Sequence, residues 1–312
     1  MPFYGELLSL LVAILWTVTA LFGGEASKRL GPQVVNLMRM ILSMLFIGLM
    51  LWIAVGVPWP RYADSRTWLL LALSGLVGFV FGDFCLFNAY VVIGARFGQL
   101  FMTIAPPVAA ALGWMFLGEK MAPISWLAML VTLSGIALSI LGKDGGEGRV
   151  TLRLPLKGVL LGIGAGLGQG GGLVLSKLGI NAYTACLPAD APAAMDAVLP
   201  FASTMIRVIA GAVGFMVLLL LAGEGRQFGA ALHNGKGMLF VVLTTFFGPF
   251  VGVSLSLLAV QHASAGIAST LMALTPVLII LPYSLIYKQK VSAKELVGLA
   301  LAMAGVALFF LL

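Results

Sequence analysis

The chain has 312 residues, of which 61% are hydrophobic and only 9% are charged, with a formal net charge of +7. An ordinary soluble domain is about 25% charged, so this composition excludes a soluble globular protein and indicates an integral membrane protein. The basic surplus indicates anchoring at the membrane surface, and we expect no nucleic-acid partner.

Ten apolar runs follow one another along the sequence. A helix needs about 20 mostly apolar residues to cross a bilayer core about 30 Å thick. The runs are predicted at residues 5–23, 33–55, 67–92, 97–117, 123–141, 157–176, 199–222, 237–260, 264–287 and 292–311. They occupy most of the chain, so the sequence predicts an all-α, multi-pass protein of the cell membrane with ten transmembrane helices and no sizeable soluble domain.

An internal repeat divides these runs into two sets. A shift of 170 residues brings Gly78 onto Gly248, Pro106 onto Pro276, and "SGIALSIL" onto "AGVALFFL". Earlier in the chain, shifts of 149 and 168 residues bring "SKRLG" at Ser27 onto "SKLG" at Ser176, and Arg39 onto Arg207. We therefore divide the chain into a first five-helix repeat (1–142), a connecting loop (143–156) and a second five-helix repeat (157–312). Because each repeat has an odd number of spans, the second enters the membrane from the opposite side. Inverted repeats of this kind are typical of secondary transporters.

The first two spans carry the first candidate site residues. Trp16 and Thr19 in the first span could contact a substrate, although a membrane tryptophan also serves as a packing or interface residue. Arg39 lies in the second span, and Arg207 occupies the matching place in the seventh. The two arginines could act as gates or bind an anion, or their long side chains could snorkel to the membrane surface.

The third span contains Asp83, the one acidic residue placed well inside a predicted span. An ionised carboxylate at the bilayer centre costs at least about 2.5 kcal/mol, so Asp83 must face protein or water. On a helix it shares a face with Phe79, Phe87 and Tyr90, which together would form an aromatic wall. Asp83 could hold a substrate ammonium group, exchange a coupling proton, pair with Arg39, or form a structural hydrogen bond between helices.

The fourth and ninth spans carry prolines at matching positions. A proline frees a backbone carbonyl and bends the helix, and broken helices line the binding sites of many transporters. We therefore predict that the faces bearing these prolines line a cavity. The predicted lining residues are Gln99, Thr103 and Pro106 in the fourth span, and Ser269, Ala273 and Pro276 in the ninth.

The sixth span, "KGVLLGIGAGLGQGGGLVLSK", is rich in glycine and supplies one further candidate, Gln169. It contains a G-x-G-x-x-G pattern, but no strand precedes the pattern and no ribose-binding acid follows it, so we exclude a nucleotide site. Glycines at this density allow helices to approach closely and to bend.

Three segments resemble one known family. The segments "LLVAILWTVTALFGGEASKRLGP", "IGARFGQLFMTIAPPVAAALGWMFLGEKMAP" and "GIAL", with an arginine in the second span, resemble the drug/metabolite transporter superfamily in its EamA-domain branch. The resemblance covers essentially the whole chain. It implies export or exchange of small polar metabolites, amino acids among them, through a central cavity. The second copy departs from the pattern, with Gln289 in place of Glu119 and Val253 in place of Asp83.

Two indications of orientation disagree. Basic residues are concentrated in the loops after odd-numbered spans, and the positive-inside rule then predicts both termini outside the cytoplasm. The resemblance implies termini inside.

The sequence thus favours a secondary active transporter that exports or exchanges a small polar metabolite such as an amino acid. No G-x-x-x-x-G-K-[ST] motif is present, so an ion or substrate gradient would supply the energy. A sugar-phosphate or nucleotide-sugar exchanger is the alternative. An intramembrane aspartyl protease would need a second aspartate inside the membrane, and the predicted spans contain none. We therefore expect no enzyme, and we expect no metal or other cofactor. The expected partners are a small-molecule substrate, a coupling proton and the lipid bilayer.

Overall fold

A computed structural model describes residues 3–141, 154–192, 194–279 and 293–310. These residues form helices joined by short connections, and no strand occurs among them. The helices are α1 (Tyr4–Leu30), α2 (Pro32–Val55), α3 (Ser65–Gly94), α4 (Phe97–Leu117), α5 (Pro123–Leu141), α6 (Leu156–Cys186), α7 (Ala194–Leu221), α8 (Gly235–His262), α9 (Ala265–Leu278) and α10 (Ala293–Phe310). A short helix, Gly225–Ala231, precedes α8.

Eight of the helices in the described ranges are long and apolar enough to cross a membrane, judged by length and composition. The other two, α5 and α9, contain shorter apolar stretches, Pro123–Ser139 and Ala265–Leu278. Each of the ten predicted runs overlaps one helix, but parts of the ninth and tenth runs lie outside the described residues. The chain is therefore an all-helical, multi-pass membrane protein, and the count of ten spans stays a prediction.

Glycine, proline and aspartate set several helix ends. α1 and α2 meet at Gly31, whose φ of 88° glycine adopts without strain. Pro32 then begins α2, where the missing N–H has no partner to lose. Asp64 caps α3, because its carboxylate accepts a 2.8 Å hydrogen bond from the amide of Thr67. α3 ends at Gly94, whose φ of 82° turns the chain into α4.

The two repeats pack mainly against each other. α2 lies against α7, α4 against α9 and α5 against α10, and each of these pairs joins corresponding helices. α1 packs on α8, and α6 packs on α3 in the same way. Exchanging α1–α5 for α6–α10 leaves this set of helix pairs unchanged. The main apolar core lies among α2, α3 and α7, where Leu37, Met40, Ile206 and Phe215 are fully buried.

Glycines bring α3 and α6 together backbone to backbone. A Cβ atom added at Gly172 would lie 2.7 Å from the Cα of Gly78, and one at Gly168 would lie 2.6 Å from the Cα of Gly82. No side chain fits at either place without moving a backbone. The glycine-rich sequence of α6 therefore serves close packing against α3.

The third helix of each repeat contains a π-helical turn. In α3 the turn covers Leu76–Asp83 and in α8 it covers Phe246–Phe250. The shift that relates the repeats carries the start of one turn onto the start of the other. In α8, Pro249 lacks the N–H that would continue a regular helix. Such turns often occur at functional sites, and the first of these two ends at Asp83.

Candidate functional site

A cavity of about 100 Å³ lies between the two repeats. Its wall is built from α1–α4 of the first repeat and α6–α9 of the second. It is smaller than the apolar cavity of roughly 150 Å³ that admits benzene, so in this conformation it has room only for a small solute. The predicted site residues in its wall are Trp16, Thr19, Arg39, Asp83, Phe87, Tyr90, Gln99, Gln169, Arg207 and Ser269.

Three predicted site residues, Thr103, Pro106 and Pro276, lie outside the lining. The hydroxyl of Thr103 donates to the carbonyl of Leu100 over 2.7 Å, within its own helix. Pro106 follows a 3₁₀ turn at Met102–Ile104, and Pro276 follows a turn that separates Ala265–Met272 from Thr275–Leu278. Both prolines are buried and accompany the breaks in α4 and α9. Their roles in binding or coupling stay predictions.

Asp83 lies at the centre of a polar cluster formed by three helices. Its Oδ1 accepts a 2.8 Å hydrogen bond from the Nε2 of Gln169 in α6. Its Oδ2 lies 3.4 Å from the Nη1 of Arg39 in α2. The same Gln169 amide also donates to the carbonyl of Gly78 over 3.2 Å. Both carboxylate oxygens therefore have partners from the protein itself.

Arg39 is fixed by contacts on several sides. Its Nη1 donates to the Oδ1 of Asn36 over 2.8 Å as well as to Asp83. Its guanidinium carbon lies 4.6 Å from the centre of the Phe87 ring, a cation–π contact. Only 4% of Arg39 is exposed. These contacts hold the guanidinium group at the cavity, so Arg39 does not snorkel to the membrane surface.

Arg207 is buried to the same degree, at 5% exposure, but has fewer partners. Its guanidinium carbon lies 4.7 Å from the centre of the Phe79 ring. Among the described residues it forms no hydrogen bond or ion pair with an acceptor, and its Nε is buried without a partner. Asp83 is the acidic residue that acts on it electrostatically. Arg207 likewise lines the cavity and does not snorkel.

Each arginine reaches the third helix of the other repeat. A Cβ atom at Gly248 in α8 would lie 3.4 Å from the Nη2 of Arg39, and one at Gly78 in α3 would lie 3.2 Å from the Nη2 of Arg207. Gly78 and Gly248 are themselves repeat-equivalent. The absence of a side chain at both positions leaves room for the guanidinium groups, so both arginines lie at the boundary between the repeats.

Aromatic side chains form part of the wall beside Asp83. The ring centres of Phe87 and Tyr90 are 5.5 Å apart. The amide of Gln99 donates to the hydroxyl of Tyr90, which joins α4 to α3 across the turn at Gly94. The face predicted for α3 therefore does point into the cavity in this structure.

A second ion pair lies beside the cavity and also joins the repeats. The carboxylate of Glu119, just beyond α4, lies 2.5 Å from the ammonium group of Lys177 in α6. It also accepts a 2.8 Å hydrogen bond from the amide of Ala265 at the start of α9. The ammonium group of Lys177 also donates to the carbonyl of Ala263 over 2.6 Å. Lys177 lies in α6 one helical turn beyond Leu173, which lines the cavity. These contacts join the two repeats close to the cavity wall.

Several lining residues were missed by sequence reasoning, and most of them form pairs that are equivalent in the two repeats. The shift that carries Asp83 onto Val253 also carries Leu86 onto Ser256, Gln99 onto Ser269, Met102 onto Met272 and Ala105 onto Thr275, and every one of these residues lines the cavity. The register relates the members of each pair, but it could not find the pairs Leu86/Ser256, Met102/Met272 and Ala105/Thr275, because neither member of those pairs was a candidate. Phe79, on the helix face predicted to contain Asp83, Phe87 and Tyr90, also lines the cavity.

Comparisons with known proteins agree with this architecture. The model of the "EamA-like transporter family" matches residues 3–141 and 156–311. The chain is 29% identical over 148 residues to the "Uncharacterized inner membrane transporter YedA" of Escherichia coli (strain K12), and equally to that of Escherichia coli O157:H7. The match covers 45% of this chain and 45% of the relative, so it spans about half the length of the curated relatives.

A solved crystal structure has a similar fold, with a TM-score of 0.68 and 18% sequence identity, covering 98% of this chain and 96% of that chain. At that identity the likeness concerns the fold alone. The family match, by contrast, includes both halves of the sequence and coincides with the two packed sets of helices. This chain belongs to the EamA-like transporter family and has its two-repeat architecture.

Proposed function

We propose that this protein is a secondary active transporter that exports or exchanges a small polar metabolite, of the amino-acid class, across the inner membrane. The observation that carries the proposal is the small cavity with charged residues, walled by equivalent residues of both repeats. A site at the boundary between two repeats can open to either side when one repeat moves against the other. The inner membrane location rests on the name of the relative YedA.

The proposal includes ten spans arranged as two inverted repeats, with the division at 1–142, 143–156 and 157–312. The helix pairs are preserved when the repeats are exchanged, which supports a pseudo-two-fold relation. Five spans in each repeat would place the axis of that relation in the membrane plane. The cavity would then lie on the axis, where an inverted pair of repeats can expose it alternately to the two sides.

Within this mechanism, the contacts of Glu119 act as a gate at one end of the cavity. They link a loop of the first repeat to α6 and α9 of the second. Opening that end requires the ion pair with Lys177 to break, because the two partners belong to different repeats. Partly exposed ion pairs are worth on the order of 1 kcal/mol, so such a gate can open on thermal motion.

Asp83 is assigned the coupling role. It is buried, lies at the end of the π turn in α3 and connects α2 to α6 through Arg39 and Gln169. A change in its charge would release Arg39 and alter the contact between the repeats. No enzymatic step is assigned to this carboxylate.

A second candidate function is exchange of sugar phosphates or nucleotide sugars. The presence of two arginines in the cavity wall favours it. Asp83 compensates one of the two charges, so the remaining single charge suits a monoanionic group better than a phosphate ester, which carries about −1.5 to −2 at neutral pH. We therefore rank amino acids first.

Counterflow in proteoliposomes tests the proposal. Vesicles with the purified protein are loaded with one unlabelled compound at a time, from a panel of amino acids and phosphorylated sugars, and uptake of its labelled form is measured. We expect uptake above protein-free vesicles for at least one amino acid, and none for the phosphorylated sugars. Uptake of phosphorylated sugars alone would select the second candidate. No uptake of any panel member, by protein that is folded and inserted, would reject transport of this class.

A further inference from the structure

The charges that line the cavity do not balance. Two guanidinium groups and one carboxylate are present in the described wall, an excess of one positive charge (two minus one). The carboxylate of Asp83 has both oxygens engaged, by Arg39 and by Gln169. The excess charge therefore lies at Arg207.

Arg207 has the surroundings of a binding group whose ligand comes from outside the protein. A buried charge without a partner is destabilising, and proteins normally pair such charges. The guanidinium carbon of Arg207 lies over the Phe79 ring, 4.7 Å from its centre, and an aromatic ring does not accept the in-plane hydrogen bonds that the guanidinium donors can make. The residue faces the cavity, and no described side chain supplies that acceptor.

The repeat register shows what is missing. Asp83 lies beside Arg39 in the first repeat, and the shift that relates the repeats carries Asp83 onto Val253. Val253 is buried and lines the cavity. The place that would hold a carboxylate for Arg207 is therefore taken by an apolar side chain, and a space remains in the cavity where the carboxylate of a ligand can enter.

We propose that Arg207 binds the carboxylate of the transported molecule, with Phe79 behind the guanidinium group. This inference rests on the proposed function and deepens it, since it names the substrate class as small monocarboxylates, including amino acids. It also implies that Asp83, whose oxygens are engaged, does not hold the substrate ammonium group in this conformation. A planar carboxylate can accept two parallel hydrogen bonds from one guanidinium group, which gives orientation as well as affinity.

Binding to the purified protein in detergent tests the inference separately from transport. The probes are L-alanine, propionate, which lacks the ammonium group, ethylamine, which lacks the carboxylate, and glycerol 3-phosphate. We expect L-alanine and propionate to bind to the wild type and ethylamine not to bind. Glycerol 3-phosphate distinguishes a carboxylate site from a general anion site. Binding of ethylamine as tight as that of L-alanine, or preferential binding of the phosphate, overturns the proposal.

Variants of Arg207 and Val253 test whether carboxylate binding depends on Arg207. Arg207→Gln should weaken binding of both carboxylates about tenfold or more, the size expected when a hydrogen bond between charged groups is lost. Arg207→Lys should restore part of the affinity, because it keeps the charge without the planar fork. Val253→Asp should weaken binding by supplying an internal carboxylate, while Val253→Asn adds the same bulk without the charge and measures the steric effect. Unchanged affinity in Arg207→Gln, or equal effects of Val253→Asp and Val253→Asn, overturns the proposal.

A negative result in the binding experiment and a negative result in the counterflow experiment have different meanings. Carboxylate binding that depends on Arg207 without any counterflow would remove the proposed function and leave the carboxylate site. Amino-acid counterflow that is unaffected by Arg207→Gln would remove the carboxylate site and leave the transporter. Failure of every probe to bind the wild type, with amino-acid counterflow intact, also counts against the site.

Discussion

Arg39 and Arg207 occupy the same position in two copies of one fold, yet their surroundings differ. Both are buried at the cavity, both lie against a phenylalanine ring, and both reach a glycine of the opposite repeat. Only Arg39 has an aspartate and an asparagine as hydrogen-bond partners among the described residues. The two repeats thus have an arginine at the same position, whereas Val253 stands where the first repeat has Asp83, and this difference makes the cavity asymmetric.

The contacts between the repeats differ in the same way. α3 and α6 meet through pairs of glycines, so that their backbones touch. α8 and α1 meet at the equivalent places through side chains, since Gly248 faces Thr19 and Gly252 faces Trp16. The contact between α3 and α6, beside Asp83, is thus a close contact of two backbones. The contact between α8 and α1 is made by side chains, which can change rotamer. The predictions below test this asymmetry.

The largest expected effect is a difference in stability between the two arginine variants. Arg39→Gln leaves Asp83 buried without its cation, and breaking a buried pair from one side costs about 3–5 kcal/mol. Arg207→Gln removes a charge that has no described partner, so we expect no loss of stability and a gain of up to about 1 kcal/mol. Thermal unfolding of both variants in the same detergent measures the difference.

A double substitution provides the control for this comparison. Arg39→Gln combined with Asp83→Asn removes both charges and should recover most of the stability lost in Arg39→Gln alone. If Arg39→Gln and Arg207→Gln unfold at the same temperature, the difference between the two sites in this structure has no energetic consequence.

The second prediction concerns the glycine contact of α3 and α6. Gly168→Ala places a Cβ atom 2.6 Å from the Cα of Gly82, and overpacking against a backbone typically costs about 1–3 kcal/mol. Gly171→Ala is the matched control in the same helix, because its Cβ atom would meet only side-chain atoms at 3.5 and 3.9 Å. Thermal unfolding should therefore show a clear loss for Gly168→Ala and little change for Gly171→Ala. Equal losses would show that the close approach is not rigid.

The sequence predicted more of the fold than of the site, for physical reasons. Apolar runs about as long as the bilayer is thick indicate helices directly, and the repeat indicates which helices correspond. The location of Asp83, Arg39 and Gln169 in spans marked them as candidates, because polar groups in a membrane must face something polar. Sequence could not show that Asp83 pairs with Arg39 and not with Arg207, since the choice depends on contacts between three helices.

The prolines show that residue type can predict a break in a helix without predicting which side chains line the cavity. Pro106 and Pro276 were predicted as lining residues because proline bends a helix at a site. The structure has the breaks in α4 and α9, but the neighbouring residues Met102, Ala105 and Thr275 supply the wall. The breaks could be predicted from residue type, whereas the direction in which each side chain points depends on the local geometry of the break, a 3₁₀ turn in α4 and a simple turn in α9.

The third prediction tests the coupling role of Asp83. Asp83→Asn keeps the size of the side chain and one acceptor oxygen while it removes the charge. If this carboxylate couples transport to a proton gradient, accumulation against a substrate gradient should fall about tenfold, an effect of roughly 1.4 kcal/mol, while counterflow exchange continues. Both activities are measured in proteoliposomes with equal amounts of inserted protein. Accumulation at the wild-type level would leave Asp83 as a structural partner of Arg39 only.

The smallest expected effect concerns the gate at Glu119. Glu119→Gln keeps an acceptor for the amide of Ala265 but weakens the ion pair with Lys177, and a pair with partial exposure contributes on the order of 1 kcal/mol. The open state at this end should then become about fivefold more populated. A cysteine introduced as Ser269→Cys in the cavity wall, with Cys85 and Cys186 replaced by serine, reports the change as faster labelling by a polar thiol reagent.

Lys177→Gln should raise the labelling rate similarly, because it removes the other partner of the same pair. Lys28→Gln is the matched control, since Lys28 occupies the equivalent place in the first repeat and its side chain is exposed. If Lys28→Gln raises the labelling rate as much as Lys177→Gln does, the loss of a basic charge, and not release of the gate, controls access to the cavity.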